Sequence, residues 1–192
     1  MKLLLYCTKA KPDLVDDNEE YKLGTSKNPF NTYNTNERGS CGYTLNGKIV
    51  AECDFEVEDL RIIDDDPLGA YWYETKTLSE NEVLEKSCLT GDELFDYLGE
   101  DNEGYAIHIK NLHIFGKPRE LSDYLNNKYW NSHFGNDRVS KAPQNMIRVY
   151  KLKDIEWEEY ILISIQPQWL CKILNGEKTI EVRKKVLKEM LE

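Results

Sequence analysis

The sequence has few of the residues from which disulfide and metal frameworks are built. Its five cysteines are an odd number, and no two of them are spaced as C-x-x-C. Small disulfide-stabilised domains and zinc sites depend on paired, closely spaced cysteines. We therefore expect buried, reduced thiols, and neither a disulfide framework nor a zinc site.

Histidine is equally scarce, with three residues in the chain. His108 and His113 lie five positions apart on a strand pattern, which places their side chains on opposite faces of a strand. The acidic run at residues 64–66 lacks the spaced ligands and the glycine of a calcium loop. We expect no metal ion and no cofactor, and we keep a pocket role for His108 open beside a structural one.

Long hydrophobic runs are missing as well. No stretch approaches the roughly 18 consecutive apolar residues that suggest a membrane-spanning helix. The apolar start at residues 1–6 is too short for a signal peptide and is followed by polar residues. We predict a cytoplasmic protein without a membrane segment. With 192 residues, 40% of them hydrophobic, the chain is expected to form one domain over residues 1–192.

Positive charge is under-represented, and the formal net charge is −10. A domain that holds nucleic acid through its phosphates usually has a basic face. Residues 161–192 carry six lysine and arginine side chains against four glutamates, a net +2, which leaves −12 on the rest. The C-terminal part is therefore the part best suited to meet an anion. The acidic remainder also fits a different class, an interaction protein whose surface mimics nucleic acid.

The alternation of apolar and polar residues predicts several short strands, and capping boxes that begin at Ser79 and Thr90 predict two short helices. Residues 13–44 are polar and without periodicity, which predicts a long insertion loop, and residues 64–73 are expected to form a loop that carries aromatic side chains. Residues 184–192 have the pattern of a short amphipathic helix. The predicted strands are Leu3–Cys7, Lys48–Glu58, Tyr105–Ile109, Met146–Tyr150 and Ile161–Ile165.

The most informative segment is residues 161–184, whose pattern predicts a strand, a short helix, a tight turn and a second strand. Pro167 suits the first turn of a helix, and Gly176 lies where a helix ends in a left-handed residue. In the strand that follows, Thr179, Glu181 and Arg183 share one face because successive side chains alternate. This polar row is typical either of a solvated edge strand or of a binding site beside Lys178.

Ser164-Ile-Gln-Pro, Gly176-Glu-Lys-Thr and Glu181-Val-Arg resemble the signature of the ASCH domains, a branch of the PUA-like superfamily, in which S-I-x-P is followed by G-x-K-T-x-E-x-R. The resemblance covers residues 161–184. It implies an α+β fold, namely a PUA-like mixed β-barrel with short flanking helices.

Segments near residues 2–12, 45–53, 104–118 and 142–146 look like later strands of phage-type ASCH proteins. In that family the G-x-K-T segment normally comes first, whereas here it comes last. The chain can be a circular permutant, it can complete a neighbour's barrel in a segment-exchanged homodimer, or residue 161 can open a second domain. We favour the permutant because the first 160 residues lack the signature.

The resemblance implies an RNA or nucleotide ligand held in a polar pocket at the barrel mouth. Some ASCH proteins resemble amidohydrolases that act on acetylated cytidine, in which a lysine, a threonine and a glutamate carry catalysis. Lys178 matches that lysine, but Glu181 stands where the threonine would be. We therefore expect an RNA- or nucleotide-binding protein, with a hydrolase acting on a modified nucleoside or single-stranded RNA as the alternative. Whether the chain is an enzyme stays open.

Lys178, Glu181 and Glu52 are the candidate catalytic residues, with Glu52 chosen because many family members carry V-G-E there. Each has a plain alternative: an exposed turn lysine, a structural ion pair and an acidic solvated strand. Trp72 and Trp130 are expected to pack in loops, with base stacking as the alternative. The candidate ligand-binding residues are Arg183, Thr179, Ser164, Gln166, Trp169, Tyr6, Lys9 and Gln144.

Overall fold

A computed structural model describes residues 1–8, 47–64, 71–99, 103–126, 138–154 and 156–191. Within these ranges the fold is mixed α+β, with a seven-stranded sheet and three α-helices, so the predicted α+β class is confirmed. The predicted loop at residues 13–44, together with Lys9 and Trp130, lies outside the described residues. None of the helices in the described ranges has the length and hydrophobicity to cross a bilayer.

Apart from β3 and the C-terminal segment, the strands and helices follow the predicted order. The strands are β1 Lys2–Cys7, β2 Ile49–Asp64, β3 Tyr71–Glu74, β4 Glu103–Arg119, β5 Met146–Lys153, β6 Glu156–Ile165 and β7 Ile180–Arg183. The helices are α1 Glu80–Ser87, α2 Gly91–Leu98 and α3 Pro167–Leu174, with single 3-10 turns at Leu121–Asp123 and Lys188–Met190. The hydrogen-bonded strand order is β5-β6-β1-β2-β4-β7, and β3 pairs with β2.

The chain divides into two compact units. The first contains residues 1–54 and 111–175, and the second contains residues 55–110 and 176–192. The long strands β2 and β4 supply residues to both units, whereas the segment at residues 161–184 is divided after residue 175.

In the first unit, β1 lies between β6, to which it runs parallel, and β2, to which it runs antiparallel. A strand in this position is buried on both faces, which explains why Leu3, Leu4 and Leu5 form a continuous apolar run. Burial of each such side chain contributes about 1.5–3 kcal/mol. One core cluster of this unit consists of Leu4, Tyr6, Ile49, Phe115, Tyr124, Val139, Val149, Tyr160 and Leu162.

In the second unit, β3 pairs with β2 and β7 pairs with β4, both antiparallel. Ser79 and Thr90 are the N-cap residues of helices α1 and α2, and both take part in the predicted capping boxes. One core cluster of this unit consists of Leu60, Tyr73, Val83, Leu94, Leu98, Ala106, Ile180 and Val182.

Three predictions from the sequence are wrong. Residues 71–73 belong to strand β3 rather than to a loop, because β2 continues to Asp64 and offers an edge on which Tyr73 pairs with Ile62. In the described part of the predicted C-terminal helix, residues 184–191, only Lys188–Met190 is helical, as a single 3-10 turn, since a segment this short has little helical stability of its own. Cys7, Cys53 and Cys88 are thiols, but Cys171 is disulfide-bonded, so the expectation of reduced cysteines does not hold for this residue.

Candidate functional site

The turn that carries Gly176-Glu-Lys-Thr lies against the C-terminal end of helix α1. The Thr179 backbone N–H donates to the Lys86 carbonyl oxygen at 2.9 Å, and the Cys88 thiol donates to the Glu177 carbonyl oxygen at 3.5 Å. Gly176 adopts a positive φ of 78°, as its position after α3 predicted, because glycine takes up this conformation without strain. These contacts fix the start of β7 beside the last turn of α1.

The Lys178 side chain is 3% exposed, and its Nζ donates to the Ser87 carbonyl oxygen at 2.7 Å. Ser87 is the last residue of α1, where carbonyl groups have no partner within the helix and carry partial negative charge. The ammonium group satisfies that carbonyl and opposes its charge. Lys178 is therefore a buried helix cap and not an exposed turn lysine.

Lys178, Glu181 and Arg183 form one group of charges, which we call the signature cluster. Glu181 lies between the two cations, with one carboxylate oxygen 3.5 Å from Lys178 Nζ and the other 2.8 Å from Arg183 Nη2. The side chains of Glu181 and Arg183 are only 9% and 13% exposed. The cluster carries a net charge of +1 in a largely dehydrated setting, which strengthens the attraction between its members. The two contacts join three of the sequence-predicted site residues, and their role as a binding or catalytic site stays a prediction.

The environment of the signature cluster changes the acidity of its lysine. Burial lowers the pKa of Lys178 below the ordinary lysine value, and the charge of Glu181 partly opposes this shift. A lysine with a lowered pKa is closer to the neutral amine form that a base or nucleophile requires.

Close packing around β7 fixes the position of the cluster. Gly104 on β4 has no room for a side chain, because a Cβ there would lie 3.0 Å from the Arg183 carbonyl oxygen and 2.7 Å from Leu98. On the other face of β7, Ile180 and Val182 are buried in the core of the second unit. Glu181 and Arg183 are therefore held by a strand that is fixed on both sides.

Tyr97 on helix α2 lies beside the cluster, and the sequence analysis did not identify it. Its pKa is raised by burial, and the charges of Arg183 and Glu181 act on it in opposite directions. The Lys184 ammonium lies 5.8 Å from the centre of the Tyr97 ring, and the residue is 40% exposed. Only the packing of α2 near β7 brings it here, so no local sequence pattern could have revealed it.

Glu52, Tyr6 and Ser164 belong to the first unit. Glu52 contacts Lys2 at 3.2 Å and His113 at 3.5 Å, while Tyr6 is buried in the core, where burial raises its pKa. The Ser164 hydroxyl donates to the Pro143 carbonyl oxygen at 2.7 Å and holds the chain before β5. Each of these side chains has a structural partner or position.

The other predicted ligand-binding residues lie in several places. Gln166 precedes helix α3 and accepts a hydrogen bond from the Gln168 amide at 2.6 Å. Lys172 lies 5.1 Å from the centre of the Trp169 ring, and Gln144 is exposed before β5. Gln166, Trp169 and Gln144 belong to the first unit. Thr179 belongs to the second unit, where it is exposed directly before β7.

His108 is 3.5 Å from the Glu58 carboxylate, and both side chains are mostly buried. This contact favours the structural interpretation of His108. Among the described residues no group of three or more histidine, cysteine, aspartate or glutamate side chains is arranged to hold a metal ion.

No family model, curated protein or solved structure matches the chain. The argument for a function therefore depends on the chemistry of the signature cluster itself. Buried charge clusters are costly to form, and buried ionisable groups with perturbed pKa values occur often at functional sites.

Proposed function

We propose that the chain is an ASCH-type, PUA-like protein that binds a nucleotide or single-stranded RNA at the signature cluster. The supporting observation is that Glu181 contacts both Lys178 and Arg183, at 3.5 and 2.8 Å, so the polar signature residues form one fixed unit. Fixing a binding group before the ligand arrives lowers the entropy cost of binding.

Arg183 is the residue that we expect to contact the ligand. It is the most exposed member of the cluster, and its planar guanidinium matches a phosphate group or the edge of a nucleobase. Tyr97, half-exposed beside it, offers a ring on which a base can stack. Lys178 and Glu181 would act by orienting Arg183 and by setting the local potential.

The proposed fold is a PUA-like mixed β-barrel with flanking helices, in circularly permuted order. In support, β1 pairs in parallel with β6, from Lys2 opposite Tyr160 to Cys7 opposite Ile165, within a single chain. The N-terminal strand is thus the direct neighbour of the strand that begins the signature. A monomer mass by light scattering would agree with a permutant, and a dimer mass would agree with segment exchange.

A hydrolase is the second candidate, and the lowered pKa of Lys178 favours it. In amide hydrolysis, neutral Lys178 would take a proton from water as the water oxygen attacks the acetyl carbon. The same proton would then pass to the amine nitrogen as the C–N bond breaks, giving cytidine and acetic acid, which releases its proton to solvent as acetate. A substrate must first reach an ammonium group that is 3% exposed, which makes binding the preferred proposal.

Both candidates can be tested in one experiment. Wild type, Arg183→Gln and Lys178→Met are incubated with labelled single-stranded RNA and with N4-acetylcytidine, and retention and product are followed by filter binding and mass spectrometry. Lys188→Gln removes one positive charge from an exposed turn of the same unit and is the matched control. We expect salt-sensitive retention in wild type and Lys188→Gln, and its loss in Arg183→Gln.

The outcomes separate the candidates. Product from wild type that disappears in Lys178→Met would support the hydrolase. Retention that is equal in Arg183→Gln and wild type would contradict binding at the signature cluster. The absence of both retention and product would instead favour the hypothesis that the chain is an interaction protein whose acidic surface mimics nucleic acid. If Lys178→Met unfolds, the result with Arg183→Gln still decides the binding proposal.

A further inference from the structure

The first unit contains a cavity of about 510 Å³ beside the ends of β1, β5 and β6. This volume is within the range of roughly 300–1,000 Å³ that holds small-molecule ligands. Its lining includes four basic side chains, although the chain as a whole is acidic. The basic residues are Lys2, Arg119, Lys151 and Lys153.

Two of these basic side chains are neutralised by carboxylates in the cavity wall. Lys2 contacts Glu52 at 3.2 Å, and Lys153 contacts Glu158 at 3.3 Å. Glu158 also accepts a hydrogen bond from the Tyr160 hydroxyl. A third carboxylate, Glu159, also lines the cavity, so its four basic and three acidic side chains leave a net charge of +1. Arg119 and Lys151 are the two cations outside these ion pairs.

Arg119 and Lys151 contact aromatic rings instead. The Arg119 guanidinium carbon lies 3.6 Å from the centre of the Phe115 ring, and its Nη1 donates to the Tyr124 hydroxyl at 2.9 Å. The Lys151 ammonium lies 5.3 Å from the centre of the Tyr124 ring. Within the described ranges, neither cation lies within ion-pair distance of a carboxylate, and Glu158, which faces Lys151 across the β5–β6 pair, contacts Lys153.

Tyr124 is the residue that holds both cations. Its side chain is fully buried and packs edge to face against Tyr160, with ring centres 5.8 Å apart. Burial raises the pKa of Tyr124, so its hydroxyl stays protonated and serves as a neutral acceptor for Arg119. Cation–π contacts orient a cation without cancelling its charge.

We propose that this cavity binds the phosphate group of a small phosphate monoester, with Arg119 and Lys151 contacting the phosphate and Tyr124 positioning both cations. A dianion matches two cations that both contact Tyr124, Arg119 at its hydroxyl and Lys151 at its ring. The guanidinium also provides a planar set of donors for phosphate oxygens. A long polyanion is disfavoured because the net charge of −10 repels it beyond the cavity. Only residues of the first unit form this site, so the proposal does not depend on the function proposed for the signature cluster.

The test is isothermal titration calorimetry of the full chain with ribose 5-phosphate, inorganic phosphate and ribose. We expect ribose 5-phosphate to bind most tightly and ribose to give no binding heat. Arg119→Gln should weaken ribose 5-phosphate binding roughly tenfold or more, and Lys151→Gln several-fold. Lys141→Gln removes an exposed positive charge of the same unit that does not line this cavity, and should leave the affinity unchanged.

The role of Tyr124 is tested by a double-mutant cycle. Tyr124→Phe keeps the ring beneath Lys151 but removes the hydroxyl that Arg119 contacts, and should weaken binding about threefold. If it acts by positioning Arg119, it should have almost no further effect in the Arg119→Gln background. Equal losses in both backgrounds would show that it acts through the fold and would overturn the positioning role.

Three results would overturn the assignment of the cavity. They are equal affinity for ribose and ribose 5-phosphate, equal affinity for inorganic phosphate and ribose 5-phosphate, or an equal loss in Lys141→Gln and Arg119→Gln. Thermal unfolding monitored by circular dichroism checks that each variant is folded. If Arg119→Gln fails this check, an affinity unchanged in Lys151→Gln would be enough to reject the proposal.

Discussion

The two cation pairs of this chain are held in different ways. Lys178 and Arg183 share the Glu181 carboxylate, and Lys178 also caps helix α1 through the Ser87 carbonyl. Arg119 and Lys151 are instead held by Tyr124, a neutral group. The first arrangement uses most of its positive charge internally, whereas the second keeps it available to a ligand.

The difference predicts which cations mainly stabilise the fold and which can contact a ligand. Removing one partner from a buried charge pair leaves the other charge or a carbonyl group unsatisfied, which is costly. Cations that are held by aromatic rings leave no buried charge behind when they are removed. Substitutions of Lys178 and Glu181 should therefore affect folding most, and substitutions of Arg119 and Lys151 should mainly affect ligand affinity.

The largest effect is expected from Lys178→Met. Methionine fills much of the same volume but leaves the Ser87 carbonyl without this donor and removes one cation from Glu181. We expect the free energy of unfolding to fall by about 3 kcal/mol, measured by urea denaturation. Lys188→Met, in an exposed turn, is the control. A loss of similar size in both variants would show that Lys178 is not a special support of the fold.

A somewhat smaller loss is expected from Glu181→Gln. The amide keeps the shape but removes the negative charge between Lys178 and Arg183, so two cations face each other. We expect a loss of about 2 kcal/mol in the free energy of unfolding. The pKa of Lys178 should fall further, because the Glu181 charge raises it in the wild type. NMR titration of the lysine side chains measures this shift, and an unchanged pKa would contradict the coupling.

The secondary structure around the signature cluster could be predicted from the sequence because it follows from short-range rules. Strand alternation placed Glu181 and Arg183 on one face, and Pro167 and Gly176 marked the ends of α3. Ser79 and Thr90 likewise marked the starts of α1 and α2. All of these signals operate within a few residues.

The remaining features depend on contacts between distant parts of the chain. The burial of Lys178 follows from its contact with Ser87, 91 residues away in sequence. Tyr124 and Lys151 meet because Leu125, which follows β4, forms a backbone bridge with Tyr150 on β5. Periodic patterns in the sequence do not report such distant neighbours, so the sequence left an exposed turn lysine open as the alternative for Lys178 and did not predict the cavity.

The free energy of unfolding should also depend on pH through Lys178. Because burial lowers the pKa of Lys178, the unfolded chain binds more protons than the folded chain between the two pKa values. The free energy of unfolding contributed by this lysine therefore rises with pH, up to its ordinary value of 10.5. Wild type should thus gain stability relative to Lys178→Met as pH is raised towards that value in urea denaturation experiments. A constant difference would show that the folded-state pKa is not lowered.

The smallest effect on folding is expected from Lys151→Met. Its ammonium group lies 5.3 Å from the Tyr124 ring and has no carboxylate partner within ion-pair distance among the described residues. The free energy of unfolding should change by about 0.5 kcal/mol or less. The same variant should lose several-fold in affinity for ribose 5-phosphate. A folding cost as large as that of Lys178→Met would mean that Lys151 supports the fold, and the contrast between the two cation pairs would fail.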